Sequence, residues 1–209
     1  IFGATFLAGE LLGIRAYILF VLIILTLLFT VDKKVDFAKN IFKGPIKKKD
    51  LVYSWFIWMN YSHSCYSYDR LMGLAFAHSM KNIFKKLYDN KYQISEAIHR
   101  HTEFFNTEPN MGTPILGYII ALEEDRRIKD ESFEDISYIK KGMMGISAGL
   151  GDSFTQVILA PLFISMSVML CLDNGFYPAF IPVILLAALI LFISYAGFMN
   201  GYFKGKEFM

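Results

Sequence analysis

The stretch from Phe176 to Met199 contains no charged side chain. A helix needs about 20 consecutive, mostly apolar residues to cross the hydrocarbon core of a bilayer. A surface helix of a soluble protein would keep a polar face toward water. The stretch therefore predicts a transmembrane helix. The whole chain agrees, since it is 55% hydrophobic with a mean hydropathy of +0.39, above the usage of ordinary soluble domains.

Other apolar runs predict more membrane-inserted elements. Phe154 to Leu172 is a second candidate span, in which Pro161 is expected to kink the helix. Ala16 to Val31 is a third, while Leu71 to Met80 is too short to cross and is expected to lie in the interface or to re-enter. The predicted fold class is an all-α membrane protein, a polytopic helical bundle with interfacial and re-entrant helices.

A lysine-rich segment divides the chain. Residues 32–50 carry seven lysines and three aspartates, with a Gly-Pro break and no apolar period. We expect a transmembrane segment at 1–31, a basic linker at 32–50 that is cytoplasmic by the positive-inside rule, and a membrane domain at 51–209. The net charge of only +2 gives no basic field for nucleic acid. Because the chain starts at Ile1, it is expected to be a piece of a longer product.

Polar and apolar residues are segregated along the chain between Arg100 and Asp125. A helix predicted at 93–105, capped by Ser95, is followed by prolines and a glycine and then by the apolar run Ile115 to Leu122. The charged stretch 124–141 is expected in water. This order predicts a helix that breaks on entering the membrane, and broken helices are where transporters bind substrate.

Several polar groups border these apolar runs. Glu103, Asn106 and Thr107 precede the first proline, and Asp152 follows a glycine run over residues 142–151 that is expected to let helices approach closely. Their carboxylates, amide and hydroxyl suit hydroxyl-rich ligands. Two interpretations remain open for each: a polar site facing a cavity, or a helix cap, which for Asp152 would be an interfacial N-cap.

Metal binding and covalent catalysis have little support in the sequence. His99 and Glu103 are four residues apart and could share a helix face, but there is no HExxH motif and no second ligand cluster. No GxSxG motif is present. We therefore expect no metal, no cofactor and no catalytic residue.

Several motifs in register resemble one known family. RHTEFFNTEP at 100–109, PILGYIIALEE at 114–124 and KKGMMGISAGLGDSF at 140–154, with SYDRLMGLAFAHSM upstream, resemble enzyme IID, the membrane subunit of the mannose-fructose-sorbose family of the bacterial phosphotransferase system. The resemblance covers residues 46–209 and lacks the family's hydrophobic carboxy-terminal part. Ser67 and Ile146 depart from the family pattern. Residues 1–31 resemble the end of the partner subunit, enzyme IIC.

The resemblance implies a multi-pass subunit of the bacterial cell membrane that contacts lipid and forms a sugar-translocating unit with enzyme IIC. Cytoplasmic IIA and IIB would phosphorylate the arriving hexose, so no histidine of this chain is expected to be phosphorylated. A higher oligomer of IIC-IID pairs is expected. The residues expected to line or shape the sugar path by hydrogen bonding are Asn106, Glu103, Thr107, Glu123 and Asp152.

Two alternatives belong to other classes. A non-transporting scaffold or receptor-like membrane protein would account for the missing carboxy-terminal part. An intramembrane metalloenzyme would rest on His99 and Glu103 alone.

Overall fold

The computed structural model describes residues 44–207. The chain divides into two units, residues 1–37 and 38–209. Only the second unit is covered by the described residues. The predictions for residues 1–31 and for most of the linker at 32–50 therefore lie outside the described residues.

The described part of the chain is helical. Its α-helices are α1 Lys48–Tyr61, α2 Gly73–Leu87, α3 Lys91–His101, α4 Thr113–Lys129, α5 Glu134–Gly151, α6 Ala160–Asn174 and α7 Phe180–Glu207. A π-helix, Asp152–Leu159, joins α5 to α6, and a short 3-10 helix, Tyr177–Ala179, precedes α7. Residues 44–207 contain isolated β-bridges but no strand. The predicted all-α class is confirmed.

Two continuous helical stretches are long and apolar enough to cross a membrane. They are Glu134–Asp173, with 40 residues, and Tyr177–Glu207, with 31 residues. At about 1.5 Å per residue, both exceed the roughly 30 Å of the hydrocarbon core. The first contains the span predicted at 154–172 and begins 20 residues earlier, and the second contains the span predicted at 176–199 except Phe176. The chain turns between them at Gly175, whose φ of 85° favours glycine.

Where the sequence predicted a kink at Pro161, the structure has a π-helix directly before the proline. The Ala160 amide donates to the carbonyl of Thr155, five residues back, immediately before the proline. A proline ring inside a regular α-helix collides with the carbonyl four residues earlier. The wider π turn relieves that collision, so the helix continues through the proline.

Helices α4 and α7 pack through a row of glycines that we call the glycine seam: Gly117, Gly197, Gly201 and Gly205. A Cβ atom built on Gly201 would lie 2.1 Å from the carbonyl oxygen of Pro114, and one on Gly117 would lie 2.1 Å from that of Phe198. Small residues at such positions let helix backbones approach closely.

Among the described residues, the close approach predicted for the glycine run at 142–151 is seen at one of its four glycines. A Cβ on Gly142, Gly145 or Gly149 would meet nothing within 4 Å among the described residues. Only Gly151 is crowded, by the side chain of Glu108. Sequence spacing shows where glycines line up on a helix, but not which face meets a neighbour.

Three predicted boundaries also need correction. Helix α3 begins at Lys91, where Asn90 accepts the capping hydrogen bond from the Tyr92 amide at 2.8 Å, so Ser95 is not the cap. The same helix ends at His101 rather than at 105. The stretch 124–141 is not one element in water, because α4 continues to Lys129 and Glu124 is fully buried.

Helix α1 begins at Lys48, inside the segment predicted as a linker. Asp50 stabilises the first turn of α1. Its carboxylate accepts a hydrogen bond from the Lys47 amide at 3.0 Å and pairs with Lys86 of α2 at 3.0 Å. A carboxylate in the first turn also stabilises a helix through its dipole.

Candidate functional site

The helix predicted to break does break. Helix α3 ends at His101 and α4 begins at Thr113, and residues 102–112 between them are not helical. We call residues 102–112 the interhelical loop.

Backbone contacts fix the interhelical loop against α1 and α2. The Trp58 indole N–H donates to the Pro109 carbonyl at 2.8 Å. The Met72 amide donates to the Phe105 carbonyl at 2.8 Å, and the Phe105 amide to the Arg70 carbonyl at 3.2 Å. Phe105 and Trp58 are fully buried. The irregular backbone is thus supported by protein, as non-helical segments beside membrane spans must be.

The interhelical loop also runs along the first part of the longer candidate span. Glu103 pairs with Lys141 of α5 at 2.8 Å, and the Asn106 amide lies 3.1 Å from the Met144 sulfur. Further on, the Glu108 side chain fills the space beside Gly151. Successive loop residues therefore meet successive turns of α5, and the loop follows the candidate span.

Glu103 is partly exposed at the edge of this contact. Its Oε2 accepts from the Lys141 ammonium and from the Ser137 hydroxyl. Partial burial acts to raise the pKa of Glu103, but these two hydrogen bonds and the nearby lysines lower it below the ordinary value. The carboxylate is therefore ionised at neutral pH.

Asn106 and Thr107 differ in their exposure. Asn106 is half-buried, and its Oδ1 accepts from the Tyr66 hydroxyl at 2.8 Å. Thr107 is buried, its Oγ1 has no hydrogen-bond partner, and its side chain lies against Gly112, where α4 begins.

Glu108 holds the turn of the interhelical loop that leads into α4, whose own N-cap, Gly112, has no side-chain cap hydrogen bond. Its carboxylate accepts from the backbone amides of Asn110 at 3.0 Å and Met111 at 2.6 Å. An acidic group suits the positive end of a helix dipole.

Glu123 lies in a buried ionic cluster away from any surface. Its carboxylate accepts from the Tyr88 hydroxyl at 2.8 Å, from Arg100 Nε at 3.0 Å and from His101 Nε2 at 2.8 Å. Burial acts to raise the pKa of Glu123, but His101 and Arg100 outweigh it and lower the pKa to about 2. Because Arg100 and His101 lie on α3, the cluster ties α3 to α4 at one end of the interhelical loop.

His101 and Tyr88, the remaining two members of the cluster, are neutral. Burial lowers the pKa of His101, and burial together with the Glu123 charge raises that of Tyr88. The imidazole is therefore uncharged and donates through Nε2–H, and the phenol keeps its proton.

Asp152 is exposed at the junction of α5 and the π-helix. The interpretation of Asp152 as an N-cap is wrong, because the helix continues through it with helical dihedral angles on Gly151 and Asp152. It lies one residue beyond the contact between Gly151 and Glu108. Glu103, Asn106 and Thr107 therefore all lie on the interhelical loop. Asp152 lies next to the Gly151–Glu108 contact, and Glu123 lies in the buried cluster between α3 and α4.

Residues that the sequence did not single out also contact this region. Lys140 is fully buried, with Nζ 3.4 Å from the His101 carbonyl and 5.1 Å from the centre of the Phe76 ring. Nothing in the sequence distinguishes it from its exposed neighbour Lys141. Asp69 and Arg70 lie in the SYDRLMG motif, and nothing in their spacing marks them as ligands.

The geometry assumed for a metal pair is wrong. Helix α3 ends before Glu103, so His99 and Glu103 do not share a helix face. Among residues 44–207, no three His, Cys, Asp or Glu side chains are placed to hold a metal ion.

Comparison with known proteins gives consistent relatives. Residues 45–209 match the family model of the PTS system mannose/fructose/sorbose family IID component. The chain is 32% identical to the fructose permease IID component of Bacillus subtilis, over 78% of this chain and 60% of that protein. It is 34% identical to the mannose-specific EIID component of Escherichia coli, over 73% of this chain and 54% of that protein. The chain thus spans about 60% or less of the length of these curated relatives.

A solved structure agrees with the sequence match. The cryo-electron microscopy structure of the mannose transporter ManYZ in complex with microcin E492 contains a chain that superposes with a TM-score of 0.73 at 30% identity, over 79% of this chain and 61% of that one. The resemblance seen in the motifs is confirmed over nearly the same residues. The protein is a membrane protein, and it belongs to the mannose/fructose/sorbose family of phosphotransferase system IID components.

Proposed function

We propose that this chain is the IID part of a sugar permease that, together with a IIC subunit, binds a hexose and carries it across the bacterial cell membrane for phosphorylation by cytoplasmic IIA and IIB. The observation that carries the proposal is the interhelical loop, which brings polar side chains beside a candidate membrane span. Interrupted helices of this kind form substrate sites in transporters, because their free backbone and side-chain groups can bind polar ligands.

The five predicted residues take two kinds of role in this proposal. Glu103, Asn106 and Asp152 retain exposed atoms and would line the sugar path. Thr107 and Glu123 are buried and would shape it. Glu123 does so by holding α3 against α4 through Arg100 and His101.

The exposed position of Asp152 in the longer candidate span supports a IIC partner. Asp152 is exposed well inside the 40-residue candidate span and has no ion pair among the described residues. A carboxylate that faces lipid costs about 2.5–3.5 kcal/mol or more. A protein surface or a water-filled path beside it removes that cost. A IIC subunit on this face would supply both, and pairs of IIC and IID would build the higher oligomer.

Basic residues support an orientation. The last turns of three helices are basic. That of α2 carries Lys85 and Lys86, that of α4 carries Arg126, Arg127 and Lys129, and that of α7 carries Lys204 and Lys206. Asp50 at the start of α1 pairs with Lys86, so the last turn of α2 lies beside the described end of the lysine-rich segment, residues 44–50. By the positive-inside rule we assign this end, with residues 32–50, to the cytoplasm, where IIA and IIB act.

The test is hexose uptake by cells that produce the protein with its IIC, IIA and IIB partners. Asn106→Ala and Asp152→Asn are expected to lower uptake about tenfold, since each removes a hydrogen bond to the sugar or a charge on its path. Tyr92→Phe, at an exposed position on α3, is the control and should transport normally. Co-purification of IIC must be unchanged in all three.

Two results would contradict the proposal. Normal uptake by both variants, with assembly intact, would remove these residues from the sugar path. No hexose uptake above the level of a deletion strain, in the presence of the other three components, would instead favour a scaffold role.

A further inference from the structure

An open cavity of about 430 Å³ lies on the surface beside Glu103. It is lined by side chains from three segments, which include Asp69, Arg70, Thr102, Glu103, Phe104 and Lys141. Of these, only Glu103 was expected from the sequence to meet a ligand. A monosaccharide fits within this volume, which falls in the usual range for small-molecule sites.

The walls of the cavity are held by backbone contacts rather than by the side chains that face it. The hydrogen bonds that join Phe105 to Arg70 and to Met72 link the segment before α2 to the interhelical loop. Leu71, between Arg70 and Met72, has a φ of 45°, which is uncommon for a bulky residue and persists only where the surroundings enforce it. Asp69 and Arg70 are therefore presented on a fixed backbone.

Gly73 allows the two segments to come this close. A Cβ atom at Gly73 would lie 2.1 Å from the carbonyl oxygen of Glu103. The cavity is thus formed before any ligand arrives, which lowers the entropy cost of binding.

Charges in the cavity balance. The carboxylates of Asp69 and Glu103 offset the cations of Arg70 and Lys141. A charge-balanced site gives no net attraction to a phosphate dianion. It does supply both donors and acceptors, which a neutral polyhydroxylated ring requires because each hydroxyl donates and accepts.

Several polar atoms are available for such a ring. Lys141 and Ser137 both bind Oε2 of Glu103, which leaves Oε1 to accept from a hydroxyl. The Thr102 hydroxyl donates to the His99 carbonyl at 2.8 Å, so its oxygen can accept as well. Among residues 44–207, Arg70 forms no hydrogen bond or ion pair with its side chain and can donate. The Phe104 ring is 44% exposed and offers an apolar surface for the C–H face of a sugar.

We propose that this cavity is a binding site for a neutral hexose. Asp69, Thr102 and Glu103 accept hydrogen bonds from the sugar, Arg70 donates one, and Phe104 packs against the ring. The site lies at the α3 end of the interhelical loop, beside Lys141, whereas Asn106 contacts Met144 further along α5 and Asp152 lies beyond the end of α5. This inference rests on the transport function proposed above. The cavity would be a second sugar-binding site on the same path.

The test measures binding of mannose, fructose and sorbose to the purified complex of this protein with IIC by isothermal titration calorimetry. Asp69→Asn and Phe104→Ala are expected to weaken binding of the preferred hexose about tenfold. Tyr92→Ala is the matched control, since it removes a ring that is 74% exposed outside the cavity and should leave affinity unchanged. Thermal unfolding midpoints that match the unsubstituted protein show that the variants are folded.

Uptake measurements separate failure of the site from failure of the function. If the complex transports hexose while Asp69→Asn and Phe104→Ala bind and transport it as the unsubstituted protein does, the cavity is not a sugar site and the transport function stands. If inorganic phosphate or mannose 6-phosphate binds more tightly than mannose and Arg70→Gln abolishes that binding, the site is anionic and the proposal is overturned. If the unsubstituted complex neither binds nor transports any hexose, both proposals fail.

Discussion

The glycine seam gives the sharpest prediction about stability. A methyl group at Gly201 would lie 2.1 Å from the backbone oxygen of Pro114, whereas ordinary contacts begin near 3.4 Å. No side chain can rotate away, so α4 and α7 must separate by about 1 Å and lose packing along their length. Overpacking costs about 1–3 kcal/mol or more, and the better helix propensity of alanine offsets about 1 kcal/mol. Because the clash is with backbone, the upper end of that cost applies, and after the offset we expect Gly201→Ala to lower stability by about 2 kcal/mol, or Tm by roughly 4–8 °C.

Thermal unfolding of the purified protein in detergent measures this effect. Gly145→Ala is the matched control, because a Cβ there meets nothing within 4 Å of the described residues and the change should be neutral or stabilising. Gly197→Ala should fall between the two, since its Cβ would lie 3.1 Å from the Pro114 ring. Equal Tm values for Gly201→Ala and Gly145→Ala would refute the argument, and a larger loss at Gly145 would show that α5 makes the critical close contact.

Three further predictions concern the buried charges. Glu123→Gln leaves the Arg100 guanidinium without its carboxylate and should lower the free energy of unfolding by about 3 kcal/mol, measured as a lower Tm. An unchanged Tm would show that the ion pair does not stabilise the fold. Burial lowers the pKa of His101 below 6.5, so at lower pH the unfolded chain binds a proton that the folded protein does not. The stability should therefore fall as the pH drops below about 6.5. Thermal melting at several pH values should show a smaller dependence on pH for His101→Gln. Lys140→Met exchanges a buried cation on the Phe76 ring for an apolar side chain of similar length, so Tm should stay within about 2 °C or rise, whereas a large loss would show that the charge stabilises the fold.

Much of the fold could be predicted because hydropathy reports on the environment of a whole helix. The charge-free run Phe176 to Met199 and the run Phe154 to Leu172 each lie in a helix long enough to cross a membrane. Helix ends were less predictable. The Asn90 cap and the end of α3 at His101 depend on local hydrogen bonds that compete closely with alternatives such as a Ser95 cap.

The site was predicted in outline for a similar reason. Prolines and a glycine mark the interruption, and Glu103, Asn106 and Thr107 do lie on the interhelical loop. The sequence could not show that Asp69 and Arg70 face Glu103, because that contact joins segments more than thirty residues apart through backbone hydrogen bonds to Phe105. Nor could it show which glycines are crowded, because a glycine leaves no side-chain pattern on the opposite helix.

The two glutamates at the end of α4 show why charge alone misleads about burial. The sequence placed Glu124 in water, yet Glu123 and Glu124 are both fully buried. Glu124 accepts from the Tyr202 hydroxyl at 2.6 Å and pairs with Lys206 at 2.9 Å, both on α7. Burying an isolated carboxylate is prohibitive, but donors from another helix remove most of the cost. Those donors are brought to Glu124 by the same α4–α7 contact that the glycine seam permits, so the close packing of two backbones decides whether a charged residue at the end of α4 lies in water or in the protein.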